Sequence, residues 1–212
     1  MIPLMATTLP DTTCATPDRP LRMSVAVYCG SRPGQHPAYM ALAQSLGTAI
    51  GRRGWQLVYG GGRAGLMGAV ADATLAAGGR VVGVIPKSLM QLEVGHGGLH
   101  ELHVVDTMHQ RKQLMAERSH GFIAMPGGIG TFEELFEVWT WRHLGYHDRP
   151  MGLLDTQGYW SPLLGFLRNA VDAGFMDDVQ MAMLSLAEDA DTLLDLMAAQ
   201  AGDLSDDHFG LI

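Results

Sequence analysis

Short apolar runs alternate along the chain with longer stretches in which apolar residues recur every three or four positions. The short runs are apolar at successive positions and rich in β-branched residues, which predicts strands buried on both faces. The longer stretches predict amphipathic helices, several of them closed by glycine. The predicted strands cover residues 23–29, 55–59, 81–85, 101–105, 121–125, 151–154 and 183–186. The predicted helices cover residues 37–53, 66–77, 107–118, 130–144, 160–173 and 189–201.

This alternation of strands and helices predicts a single α/β domain over residues 23–201. Because the strands are apolar throughout, we expect a doubly wound parallel sheet with helices on both faces. Residues 1–22 are rich in threonine and proline without periodicity, and we expect a disordered leader there. Residues 202–212 form an expected acidic C-terminal tail. Residues 86–100 contain several glycines and no predicted element.

Glycine is over-represented, with 27 of the 212 residues, about twice the ordinary share. Glycine-rich breaks follow three of the predicted strands, directly after Cys29, Tyr59 and Met125. Parallel sheets bind ligands at the carboxyl ends of their strands. We therefore expect the three breaks to form one crevice.

The strongest motif, MPGGIGTFEE, occupies residues 125–134, between a predicted strand and a predicted helix. Gly127, Gly128 and Gly130 permit a tight turn and leave no Cβ in the way of a ligand. The start of the following helix offers free N–H groups and a positive dipole end, which suit a phosphate. Neither GxxxxGK[ST] nor GxGxxG is present, so a single phosphate fits better than ATP or NAD.

Thr131 and Glu134 in this motif allow two interpretations. They match a T-x-x-E capping box, in which Glu134 only caps the helix. Glu134 could equally be a carboxylate held for catalysis. The pattern leaves both open, and the two roles are not exclusive.

A second glycine-rich segment, YGGGRAGLMG, covers residues 59–68. It could cradle a phosphate or a ribose. Alternatively, its glycines permit a helix to pack closely on the sheet, and the pattern favours that alternative for Gly65 and Gly68.

Three further charged residues are candidates for binding. Arg111 and Lys112 are adjacent near the start of a predicted helix, where neighbours point in different directions. One could face the crevice while the other supports it, although a solvated basic pair is the alternative. Glu93 is an isolated carboxylate in the segment 86–100, and such loop carboxylates are ordinarily solvated.

Charge excludes several classes of partner. The formal charge is −8, and ten acidic residues lie after Arg168, where no lysine or arginine remains. The rest of the chain is slightly basic but holds no basic cluster, so we expect no nucleic-acid partner. No apolar run approaches the roughly 20 residues of a membrane span, so we expect no membrane partner.

The remaining composition indicates a cytoplasmic protein without a metal. Cys14 and Cys29 cannot make a disulfide framework, and the nine histidines show neither HxxxH nor HExxH spacing. Residues 1–22 lack the basic start and apolar segment of a secretory signal.

Several motifs together resemble the Lonely Guy family, cytokinin riboside 5′-monophosphate phosphoribohydrolases that often carry the name lysine decarboxylase-like. The resemblance covers residues 23–175. Its most specific motifs are MHQRK at residues 108–112 and PGGIGTFEE at residues 126–134. The remaining motifs are CGS at 29–31, YGGG at 59–62, GLMG at 65–68 and GVIP at 83–86.

The resemblance implies a Rossmann-like fold, a homodimer, and hydrolysis of the N-glycosidic bond of an adenine-type nucleoside 5′-monophosphate. The products would be the free base and ribose 5-phosphate, and neither a metal nor an organic cofactor is implied. Arg111 and Glu134 match the family's catalytic pair. The positions that match its substrate-binding residues are Glu93, Arg111, Lys112, Gly128, Ile129, Gly130, Thr131, Phe132, Glu133, Glu134 and Thr140.

Two other functions remain open at this point. A non-catalytic nucleotide-binding or signalling module would bind AMP without releasing the base. A pyridoxal-phosphate decarboxylase would need Lys87 or Lys112, the two lysines of the chain, to form its Schiff base. The pattern does not choose between a cytokinin nucleotide and AMP as substrate. For the homodimer, the apolar helix face within residues 135–141 is the expected contact surface.

Overall fold

The computed structural model describes residues 23–90 and 95–201, which form one seven-stranded parallel sheet with helices on both faces. The predicted α/β fold class is confirmed. The strands are β1 (Ser24–Tyr28), β2 (Gln56–Tyr59), β3 (Arg80–Pro86), β4 (Glu101–Val105), β5 (Gly121–Ala124), β6 (Met151–Leu154) and β7 (Leu184–Ala187). The helices are α1 (Pro37–Arg52), α2 (Gly65–Ala76), α3 (Met108–Glu117), α4 (Ile129–His143), α5 (Ser161–Asp172), α6 (Asp178–Ala182) and α7 (Ala190–Ala201), and a 3₁₀ turn covers Lys87–Leu89.

The sheet is buried on both faces because successive strand residues point in opposite directions. In β1 every residue is buried. Val25 and Val27 belong to the core cluster that includes α1, α2 and α7. Ala26 and Tyr28 belong to the cluster on the other face, with α3, α4 and α5. This is why the strand runs are apolar at successive positions.

The strand order β4-β3-β2-β1-β5-β6-β7 reverses direction at β1. In open parallel sheets, ligands bind outside the carboxyl ends of the strands at such a reversal. β1 pairs in parallel with β5, from Val25 opposite Gly121 to Tyr28 opposite Ala124. The loops that follow these two strands therefore leave the sheet side by side, and the topology points to one place for a ligand.

The apolar pattern did not reveal two short elements, the 3₁₀ turn and α6. Both are too short to show a helical period. α6 begins with a capping box between Asp177 and Gln180, and that D-x-x-Q spacing is a signal that would have found it.

The prediction that the apolar face within residues 135–141 forms the dimer contact is wrong. Leu135, Val138, Trp139 and Trp141 are at most 8% exposed and lie in the core cluster with Tyr28. Apolar spacing along a helix is the same whether the face covers the helix's own sheet or a second subunit. In α4 that face is used inside the subunit.

Within the described residues, no helix combines the length and the apolar character needed to cross a membrane. The predicted leader, residues 1–22, and the predicted tail, residues 202–212, lie outside the described part of the chain.

Candidate active site

A cavity of about 670 Å³ opens at the carboxyl ends of β1, β2 and β5, a volume typical of small-molecule sites. The three glycine-rich breaks meet there, as residues 29–34, Gly60 and residues 126–131. The remaining lining residues are Val27, Tyr39, Leu66, Met67, Leu89, Met108, Arg111, Glu133, Glu134 and Tyr159. The crevice predicted from the glycine pattern is therefore present.

The start of α4 faces this cavity. Its N-cap is Gly128, and no side chain caps the helix. A Cβ added at Gly128 or Gly130 would meet open space. The N–H groups of the first turn and the positive end of the helix dipole are thus open to a ligand, and this combination favours an anion.

The helix start tests the capping interpretation of Thr131 and Glu134. Because α4 begins at Ile129, Thr131 lies within the first turn and is not the N-cap. The T-x-x-E capping box is therefore wrong. Thr131 is buried, with its Oγ1 against Gly127, where a Cβ would overlap it. Glu134 lies one turn into the helix and lines the cavity.

Arg111 reaches the cavity from α3. A complete capping box between Thr107 and Gln110 determines where this helix begins. Arg111 is only 5% exposed, and its Nη2 donates a hydrogen bond to the carbonyl oxygen of Gly60 at 3.1 Å. A Cβ on Gly60 would overlap that same Nη2. The guanidinium position therefore requires glycine at residue 60, which links two motifs that are distant in the sequence.

Arg111 and Glu134 both influence one buried group, the phenol of Tyr28. Burial raises the pKa of Tyr28, the charge of Glu134 raises it further, and Arg111 lowers it. Burial, with Glu134 as the smaller cause, also raises the pKa of the Cys29 thiol, which lines the cavity. Cys29 therefore remains a neutral thiol rather than a nucleophile. The two candidate catalytic residues line the same cavity and act with opposite sign on Tyr28.

Lys112 points away from Arg111, towards α4. Its Nζ binds Oε1 of Glu137 at 3.0 Å and also the carboxylate of Glu133. Burial lowers the pKa of Lys112, but the hydrogen bonds from these two carboxylates outweigh it, and the pKa is raised overall. Lys112 thus joins α3 to α4, the two helices that carry Arg111 and Glu134.

The structure brings seven of the predicted substrate-binding residues to the cavity. They are Arg111, Gly128, Ile129, Gly130, Thr131, Glu133 and Glu134. Lys112, Phe132 and Thr140 do not line it: Phe132 packs edge-on against buried Trp160, and Thr140 is exposed, its hydroxyl bonded to a carbonyl of its own helix. Glu93 lies outside the described residues.

Three charged or aromatic side chains of the lining lie outside every motif quoted from the sequence. Arg32 is exposed in the loop after β1, Tyr39 lies in α1, and Tyr159 follows β6. The rings of Tyr39 and Tyr159 meet edge to face at 6.0 Å. None of the three belongs to a glycine motif or to a periodic pattern that marks a site, so only the fold shows that they converge.

The second glycine-rich segment mainly serves packing. Gly65 has a φ of +60°, and a Cβ there would overlap the backbone of Ser31. A Cβ on Gly68 would overlap the carbonyl oxygen of Arg63. The close-packing alternative is supported at both positions, and Gly60 is the glycine of this segment that lines the cavity.

Comparison with known proteins connects this cavity to a family. A family model described as "Possible lysine decarboxylase" matches residues 67–197. A cytokinin riboside 5′-monophosphate phosphoribohydrolase of Rhodococcoides fascians is 49% identical over 182 residues, which are 85% of this chain and 92% of that protein. The chain belongs to the Lonely Guy family. A relative of the same name from Mycobacterium marinum is 43% identical over 87% of this chain and 98% of its own. One from Arabidopsis thaliana is 45% identical over 80% of each chain.

Solved structures share the architecture of this Lonely Guy protein. The molybdenum cofactor carrier protein of Chlamydomonas reinhardtii has a TM-score of 0.61 at 22% identity, covering 84% of this chain and 97% of that one. The molybdenum cofactor binding protein of Rippkaea orientalis has a TM-score of 0.63 at 20% identity, covering 84% and 96%. At such identities the likeness concerns the fold alone, and it confirms the Rossmann-like class.

Proposed function

We propose that the protein hydrolyses the N-glycosidic bond of adenine-type nucleoside 5′-monophosphates, a cytokinin riboside 5′-monophosphate, AMP or both. The products are the free base and ribose 5-phosphate. The observation that carries this proposal is the convergence of Arg111, Glu134 and the start of α4 on one cavity. Relatives at 43–49% identity that are named phosphoribohydrolases support it.

Glu134 is the residue we assign to the reacting carbon. Breaking a ribosyl–base bond builds positive charge on the ribose in an oxocarbenium-like transition state. A carboxylate held beside the ribose stabilises that charge and orients or deprotonates the attacking water. The bond from C1′ to the base nitrogen breaks with its electron pair leaving on the base, and the water oxygen bonds to C1′. One water proton stays on the new hydroxyl, and the base gains the other.

The start of α4 is assigned to the 5′-phosphate, with N–H groups of residues 128–131 as donors. Arg111 supplies positive charge to the phosphate or to the departing base. Lys112 holds α3 and α4 together through Glu133 and Glu137. Contacts of Glu93 with the base or the ribose hydroxyls remain a prediction, as do substrate contacts of Lys112, Phe132 and Thr140.

A phosphate site at α4 predicts strong discrimination between AMP and adenosine. Without the phosphate the helix start loses its partner, so we expect kcat/KM for adenosine to be lower by about a hundredfold or more. Chromatography of the released base measures both rates, and isopentenyladenosine 5′-monophosphate in parallel shows which nucleotide is preferred. Equal turnover of adenosine would contradict the phosphate site. AMP binding without base release would favour the non-catalytic module instead.

The positions of the lysines disfavour the decarboxylase alternative. A pyridoxal-phosphate enzyme needs a lysine amine in its cavity. Lys87 binds Asp106 at 2.6 Å and Lys112 binds two glutamates of α4. Neither of the two lysines lines the cavity, so the donor set does not fit that cofactor.

A homodimer remains our prediction, with a different surface from the buried face of α4. Phe166, Phe175 and Val179 are 66%, 87% and 68% exposed, and we propose that they contribute to an apolar patch of the kind that marks protein contacts. Light scattering should give about twice the subunit mass of 22.8 kDa. A monomer at every concentration tested would contradict the prediction. The cytoplasmic location also remains a prediction.

A further inference from the structure

Hydrogen bonds from two other loops hold two successive carbonyl groups of the loop that follows β5. The backbone N–H of Gly30 donates a hydrogen bond to the carbonyl oxygen of Pro126 at 3.1 Å. The hydroxyl of Tyr159 donates a hydrogen bond to the carbonyl oxygen of Gly127. One anchor comes from the loop after β1 and the other from the turn after β6, the strand next to β5.

The two anchors determine the direction of two N–H groups. In a trans peptide the carbonyl and the N–H point in opposite directions, and the described residues contain no cis peptide. The carbonyl of Gly127 shares its peptide with the N–H of Gly128. When Tyr159 holds that carbonyl, the N–H of Gly128 is turned the opposite way. Gly128 is the N-cap of α4 and lines the cavity.

Because residue 127 is a glycine, the orientation of the peptide between Gly127 and Gly128 depends on the hydrogen bond from Tyr159. Gly127 has no room for a Cβ, because Thr131 Oγ1 and Gly30 N, at 2.9 Å, already lie there. A glycine peptide can adopt many orientations, and ordering it at the moment of binding weakens the affinity for a ligand. A hydrogen bond that selects one orientation beforehand removes this cost.

Tyr159 is itself firmly supported. Its ring meets Trp160 edge to face at 5.1 Å and Tyr39 at 6.0 Å. Trp160 is fully buried, and its indole N–H donates to the carbonyl of Leu154 at 3.2 Å. The hydroxyl of Tyr159 is therefore presented from a packed aromatic group rather than from a free turn.

We propose that Tyr159 is a positioning residue that, through the carbonyl of Gly127, aims the N–H of Gly128 at the phosphate of the substrate. This inference rests on the proposed function, which makes a nucleoside 5′-monophosphate the ligand. It adds a specificity element from outside every glycine motif, and it assigns Tyr159 to recognition of the phosphate rather than to the base or to bond cleavage.

The test compares Tyr159→Phe with wild type and with Tyr146→Phe, which removes the hydroxyl of a half-buried tyrosine away from the cavity. Tyr159→Phe should raise KM for AMP and the inhibition constant of ribose 5-phosphate about tenfold, with kcat within about twofold, because a binding interaction is lost. The kcat/KM for adenosine should not change. Constants equal to those of Tyr146→Phe, or an equal loss with adenosine, would overturn the inference.

Further measurements separate this inference from the proposed function. If wild type releases no base from AMP, the proposed function fails, and calorimetric binding of AMP and ribose 5-phosphate to the same variants still tests Tyr159. If wild type binds neither compound, both proposals are overturned. If Tyr159→Phe does not fold, amide NMR of wild type replaces it. The Gly128 N–H resonance should shift when ribose 5-phosphate is added, and an unchanged resonance would overturn the inference.

Discussion

Glu134→Gln is expected to lower kcat for base release from AMP about a thousandfold, the order of effect seen when a preorganised electrostatic group is removed. Glutamine keeps the shape and the hydrogen-bonding reach of the side chain but removes the charge that faces the ribose cation. Stability should change little, because α4 starts at Gly128 without any cap from this residue. Chromatography of released adenine and thermal unfolding measure the two effects separately.

Glu117→Gln is the matched control for this prediction. Glu117 is an exposed glutamate at the end of α3, outside the cavity, and its carboxylate accepts a hydrogen bond from Gln113 at 2.9 Å. Both variants remove one negative charge from a helix. Turnover by Glu134→Gln at the rate of Glu117→Gln would show that the carboxylate of Glu134 is not catalytic.

Gly60→Ala is expected to lower kcat/KM for AMP about a hundredfold although Arg111 remains in the chain. The added methyl group would occupy the place of Nη2 of Arg111, and it would also lie 3.2 Å from Sδ of Met67. The clash involves the ends of flexible side chains, so the guanidinium moves while the backbone stays. The variant should fold normally, but its Arg111 guanidinium should no longer be directed into the cavity. Thermal unfolding measures the first effect and steady-state kinetics the second.

A double-mutant cycle tests whether Gly60 acts through Arg111. In an Arg111→Met background, Gly60→Ala should have little additional effect, because the group it displaces is already gone. Gly165→Ala serves as the control glycine, since it lies in α5 with open space at its Cβ. Full additivity of Gly60→Ala and Arg111→Met would contradict the proposed coupling.

The parts of the site that follow from sheet topology could be predicted from the sequence. Glycine-rich breaks after apolar runs indicate where strands end. Because parallel strands end on the same side of a sheet, the crevice could be predicted from the sequence. The orientation of Arg111 and Lys112 could not be predicted in this way. Both residues lie on α3, and which of them faces the cavity depends on how that helix is rotated against the sheet, a tertiary property.

Two predictions failed for a similar reason: a local sequence pattern does not show what surrounds it in the fold. The T-x-x-E pattern suggested a helix start at Thr131, yet Gly128, extended at φ −104° and ψ −158°, serves as the N-cap without a side chain. The spacing of Leu135 and Trp139 correctly marks an apolar face but does not reveal what that face covers. Tyr159 has no signal at all, because its importance comes from a contact with Gly127, 32 positions away.

The central place of β1 has a consequence for synthesis of the chain on the ribosome. β2 follows β1 closely, but β5, which pairs with the other edge of β1, begins at Gly121. At ordinary translation rates, roughly 5–20 s separate the emergence of the two strands. During that interval one edge of a strand that is buried throughout in the folded protein has no partner, and such edges recruit other chains. A nascent chain of this protein is therefore most exposed to aggregation just before its binding site can form.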